Sequence, residues 1–142
     1  MTPDARAPTD ADVRVANGDV RELGGFRVLV CAAEGEALAV EADAGAFLGD
    51  ALSAGVDWMA IPAARLGPDV LRLGTRVAGG VVQKFVDYRI GFAVVGDLSA
   101  QLAASEALRD FVREANRGST TWFVADLDEL ERRLAARAAA AR

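Results

Sequence analysis

Apolar residues along the chain follow two alternating rhythms. Continuous β-branched and aliphatic runs occupy residues 26–32 (FRVLVCA), 56–61 (VDWMAI), 89–95 (RIGFAVV) and 120–125 (TTWFVA). Runs of this kind predict strands buried on both faces, as in parallel sheets. Between them the period changes to that of a helix. Over residues 42–53, Phe47, Leu48, Ala51 and Leu52 share a face, and Gly55 follows as a stop. The longest predicted helix begins at Pro68, a residue tolerated in a first turn, with Asp69 favouring its positive end. Its stripe is Val70, Leu71, Leu73, Val77, Ala78, Val81, Val82 and Phe85. Residues 105–116 carry Ala107, Leu108, Phe111, Val112 and Ala115 inward, with Asn116-Arg117-Gly118 expected to close the helix in a left-handed turn. Asp126, with Glu129 three residues on, opens a last helix in the manner of a capping box. Leu127, Leu130 and Leu134 form its apolar side, and the Ala-rich tail beyond is expected to fray.

At the start, residues 1–11 read as a disordered lead-in. Residues 13–15 alternate and precede Asn17-Gly18, a hairpin signal, while Gly24-Gly25 is expected to loosen the second turn. The element order is β-β-α-β-α-β-α-β-α. It predicts one α/β domain over residues 12–137, with a mostly parallel central sheet, an antiparallel N-terminal hairpin and a frayed tail at 138–142.

Composition narrows the chemistry. Histidine is absent and Cys31 is the only cysteine, which excludes an internal disulfide, a Cys/His zinc site and a Ser-His-Asp or Cys-His nucleophile. No metal or cofactor is expected. Sixteen basic against twenty-one acidic residues give a net charge of −5, without the segregated basic face that nucleic-acid binding requires. No run approaches the length of a membrane span, and the polar N-terminus has no signal-peptide character. A soluble cytoplasmic domain is the expectation. Cys31, in a buried strand, is expected to be inert, and Trp58 and Trp122 to anchor the core or a subunit interface. Gly74, Gly79 and Gly80, inside the predicted long helix, imply close packing against the sheet or a second copy of the chain.

Such a winding gathers strand C-termini at one pole and helix C-termini at the other. The second pole collects Gln83, Lys84, Asp87, Tyr88 and Arg89 together with Glu114, Asn116 and Arg117, two clusters distant in sequence. They are the candidate binding residues, with Arg89 and Glu114 expected to pair. Asp87 is the nearer alternative partner for Arg89, and the bland alternative is that Lys84 and Arg117 only complement helix ends while Glu114 pairs with Arg89 or Arg117. The first pole offers Asp97 and Ser99 as a second candidate, with Asp97 more readily read as a helix-entry or turn cap than as a catalytic group.

Residues 68–123 resemble a family of small bacterial proteins catalogued as domain of unknown function 4180. The resemblance rests on Ala78-Gly79, on QKF and DYR at 83–85 and 87–89, and on Gly96-Asp97. It continues through Ser105, Leu108 and Phe111 to Glu114-x-Asn116-Arg117-Gly118. It implies no activity. The element order is also similar to the STAS domains of anti-sigma-factor antagonists. Many of these carry a phosphorylatable hydroxyl where residues 63–69 of this chain have none, so the likeness extends to architecture alone. The expected function is a non-catalytic STAS-like interaction or small-ligand-binding module, regulatory and homodimeric or partnered, with a small anion as possible ligand. The alternative is a cofactor-independent cyclase, isomerase or lyase with Asp87 or Glu114 as base and Tyr88 or Lys84 as acid. A pathway and a catalytic residue are not legible.

Overall fold

Six strands hydrogen-bond in the order in which the chain makes them. In the computed structural model, which describes residues 14–15 and 17–140, these are β1 (Arg14–Val15), β2 (Gly18–Leu23), β3 (Phe26–Cys31), β4 (Trp58–Pro62), β5 (Gly91–Val95) and β6 (Thr121–Val124). Pairing is antiparallel from β1 to β3 and parallel from β3 to β6. The helices are α1 (Ala44–Ala54), α2 (Val77–Asp87), α3 (Ser99–Ala104), α4 (Glu106–Arg117) and α5 (Leu127–Ala140). The fold is the expected mixed α/β domain with an antiparallel start, but three strands rather than two precede the first helix, and the short α3 is added. The lead-in at 1–11 and residues 141–142 lie outside the described residues.

A sheet that advances in one direction through right-handed crossovers places every crossover helix on the same face. Side-chain alternation shows this directly. Leu29, Met59, Ile61, Phe92 and Val94 pack with Phe47 and Leu48 of α1 and Val81 and Phe85 of α2. Phe111 of α4 meets Phe123 edge-on at 6.1 Å between ring centres on this side. The opposite face presents Val28, Trp58, Ala60, Ala93, Trp122 and Val124, and its helical cover is α5, through Leu130 and Leu134. This helix leaves β6 and reaches the β2–β3 turn, where a Cβ on Gly24 would lie 2.5 Å from the Ala135 amide nitrogen. Across the middle of that face, Gly91 is the register partner of Trp58. The space its missing side chain leaves is filled by the Trp58 indole, which stacks on Trp122 at 4.5 Å. The two tryptophans thus belong to the core.

Two local expectations need correction, and two further elements gain detail. Gly24-Gly25 makes a tight turn, not a loose one. Leu23 pairs directly with Phe26, and both glycines have positive φ (59° and 93°), which a two-residue hairpin of the primed type demands. The long helix does not begin at Pro68. Residues 67–72 form turns and a short 3-10 segment follows at Leu73–Thr75. The Thr75 hydroxyl lies 2.7 and 2.8 Å from the carbonyls of Asp69 and Arg72, and Arg76 turns left-handed at φ 66°, so helical phase starts only at Val77. Val70 is buried all the same, which is why its spacing imitates a helix. Of the three glycines, Gly80 answers to packing within the chain, since a Cβ there would meet the Glu41 side chain. Finally, α5 extends through Ala140. Arg133 lies 4.2 Å from the Trp122 ring centre and donates to the Asn116 carbonyl, while Arg137 donates to the Ser119 carbonyl.

Candidate functional site

The pole at which the parallel strands begin is shaped by the end of α2. There the Ile90 amide donates to the Phe85 carbonyl (3.0 Å) and the Arg89 amide to the Val86 carbonyl (3.0 Å). This is the Schellman arrangement, with Ile90 and Phe85 buried together beneath it. The residue in its left-handed position is normally glycine; here it is Arg89, at φ 61°. The expectation that Arg89 opens the strand is therefore wrong by two residues, since β5 begins at Gly91.

Arg89 lines an open cleft of about 340 Å³. Its walls come from five segments: Phe26, Asp57 and Trp58, Arg89 to Gly91, Ser119 and Thr120, and Arg137 of α5. The Arg89 guanidinium has no hydrogen-bond or ion-pair partner among the described residues. The one carboxylate in the wall, Asp57, accepts the Arg27 backbone amide at 3.0 Å. Two guanidiniums thus face one acid that already has a partner.

The other sequence-predicted residues sit around this pole without forming one network. Glu114 pairs with Arg117 at 3.5 Å within its own helix, and both side chains are largely exposed, so the pair contributes little. It does not meet Arg89. Gln83 donates to Asp87 at 2.8 Å on the surface of α2, and Tyr88 is 56% exposed. Lys84 is half-buried and contributes its carbonyl to the α2 end, where the Tyr88 amide donates to it. Gly118 is extended (φ −83°, ψ −168°), so the expected left-handed close of α4 is absent.

Asn116 has a different task. Its Oδ1 accepts the Phe123 amide at 2.7 Å and its Nδ2 donates to the Phe123 carbonyl at 3.2 Å. The side-chain amide thereby occupies the free edge of β6 as a further strand would. Asn116→Ala should lower stability by about 1–3 kcal/mol, the cost of stranding such groups. It should also promote association through the bared edge, and urea denaturation with light scattering reads both effects. Unchanged midpoint and particle size would contradict the assignment.

At the opposite pole, Asp97 accepts the Ser99 amide at 2.8 Å, and the Ser99 backbone and hydroxyl hold its carboxyl below the usual range. It is the turn cap. Sequence reasoning missed the dominant residue here, Arg65, which is buried at 2% exposure. It donates to the carbonyls of Glu36, Ala32 and Asn17 and to Asn17 Oδ1, which employs all of its donor nitrogens. Asn17 in turn donates to Asp50 at 2.7 Å. Neighbouring Cys31 is buried, and burial pushes its thiol up to about 12. A hollow of about 560 Å³ lies beyond β4, between Leu66, Leu71 and Ala104. The parallel strands never reverse direction of addition, so the switch-point crevice that serves open α/β sheets does not arise here.

Among the described residues, no three carboxylates or thiols converge as a metal site, and no helix is long and apolar enough to cross a membrane. These features define a mixed α/β domain, parallel from β3 to β6, whose cationic cleft lies at the strands' N-terminal pole. The chain belongs to the family described as Domain of unknown function (DUF4180), whose profile matches residues 23–134. No curated protein and no solved structure matches it.

Proposed function

We propose that this domain is a non-catalytic binding module that takes a small anion into the cleft at the strands' N-terminal pole. The observation that carries this reading is Arg89. A non-glycine residue in the left-handed region costs on the order of 1 kcal/mol. At this helix end the chain bears that cost for a guanidinium that has no hydrogen-bond or ion-pair partner among the described residues and lines a cleft with Arg137. Carboxylate or phosphate oxygens match the guanidinium fork geometrically, and Phe26, Trp58 and Ile90 supply apolar wall beside it. The element order, similar to that of STAS domains, also favours a binding role. Asp87 and Glu114, the carboxylates an acid–base reaction would use, lie exposed on α2 and α4, paired with Gln83 and Arg117.

Arg89→Gly separates binding from folding. The variant should be more stable than the parent by roughly 1 kcal/mol, through relief of the left-handed strain. In chemical-shift titrations with acetate, succinate and inorganic phosphate it should bind at least about tenfold more weakly, the loss of one charge-assisted contact. Equal affinities in parent and variant, or no shift in the parent, would reject the site.

A further inference from the structure

On the other side of Thr120, facing the helices, lies a second hollow of about 250 Å³, walled by Val82, Phe111, Glu114 and Thr121. Thr121 is the register partner of Phe92 and is only 4% exposed. Its Oγ1 is nevertheless a buried polar atom with no hydrogen-bond partner among the described residues. A buried hydroxyl without a partner weakens the fold, and valine would fill the same strand position without that cost. Glu114 lines the same hollow, its exposed carboxylate paired with Arg117 at 3.5 Å.

The two hollows share Thr120 as a common wall. Ser119 in the first and Thr121 in the second are two residues apart in the chain, at most about 7 Å. A single ligand a few carbons long that fills both hollows would therefore place one end at the guanidiniums and the other at Thr121. We infer that the ligand carries, a few carbons from its anionic group, a hydrogen-bond donor that pairs with Thr121 Oγ1 beside Glu114: it is an amino- or hydroxy-carboxylate. The inference rests on the anion site proposed above and adds the other half of the ligand. A carboxylate at this end favours an ammonium over a hydroxyl, while Thr121 can accept from either.

The test compares valerate, δ-hydroxyvalerate and δ-aminovalerate, titrated into the intact chain and into its Thr121→Val and Arg89→Gly variants. The parent should bind the two donor-bearing compounds at least about tenfold more tightly than valerate, the amino compound best, consistent with one added hydrogen bond. Thr121→Val should erase that advantage and leave valerate binding unchanged. Its urea midpoint should equal or exceed the parent's; a lower midpoint means that the hydroxyl is satisfied in the free protein and overturns the inference. Arg89→Gly should weaken all three compounds alike. If the three bind the parent equally and Arg89→Gly still weakens them, the anion site stands and this inference falls. If none binds, both fall.

Discussion

Arg65→Ala is expected to lower the stability of the domain by about 3–5 kcal/mol, the loss of several hydrogen bonds from one charged group at about 1.5 kcal/mol or more each. The guanidinium ties together the segment after β3, the turn between β1 and β2, and the 3-10 turn Ala63–Arg65 that follows β4. Without it, the carbonyls of Glu36 and Ala32 and the side-chain oxygen of Asn17 lose a charged donor at part-buried positions, while the Asn17 carbonyl keeps the Ala32 amide at 2.8 Å. Lysine is no substitute, because its point charge cannot present the fork that reaches these oxygens, and it would also leave the face of Phe47, over which the guanidinium lies at 5.2 Å. Methionine should fare no better, since the stranded partners are backbone groups that mutation does not remove. Urea unfolding followed by far-ultraviolet circular dichroism measures the loss. A change under about 1 kcal/mol, the size of one ordinary hydrogen bond, would show that water replaces the guanidinium at little cost.

Trp58→Ala should cost a similar amount, about 3–5 kcal/mol, because it empties the middle of the α5-covered face. Gly91→Ala should cost about 1–3 kcal/mol for the opposite reason, overpacking. The added methyl would stand 2.2 Å from Cδ2 and Cε2 of the Trp58 ring, which is wedged against Trp122 and cannot swing away. The two changes address one volume, so they should not add. In the Trp58→Ala background, Gly91→Ala should be neutral or stabilising, since its methyl enters vacated space. A double-mutant cycle that closes to within about 0.5 kcal/mol would show the sites to be independent and refute the packing account.

The strands were legible because a buried parallel strand needs an unbroken apolar run, and 26–32 or 120–125 can do little else. The start of α2 was not, because Val70 and Leu71 are apolar for burial and Pro68-Asp69 suits a turn as well as a helix. Arg65 was invisible for a different reason. Its partners are mostly backbone carbonyls, which every residue has, so nothing in the side-chain pattern marks them. At the candidate site, the sequence brought α2 and α4 to one pole but misjudged their chemistry. Charge complementarity suggested Arg89 with Glu114, whereas Arg89 faces a cleft whose walls include Phe26, Asp57 and Arg137, none of them near it in sequence. Asn116 was read as a helix stop because asparagine favours left-handed turns; its amide instead mimics a peptide group on the edge of β6.

The strictly sequential sheet has a bearing on how the chain is born. No strand has to be inserted between two neighbours already laid down, so a polypeptide leaving the ribosome can extend the sheet at one growing edge, each crossover helix sealing the same side as it arrives. The other side has to wait. Its helical cover, α5, is the last of the described elements and reaches back to the β2–β3 turn, so the two tryptophans gain that cover only after its 14 residues have been added to a finished β6. At about 5–20 residues per second that interval is about 1–3 seconds. For that time the nascent domain is complete on one side and an open aromatic surface on the other, and a chaperone or a neighbouring nascent chain would meet it on that side.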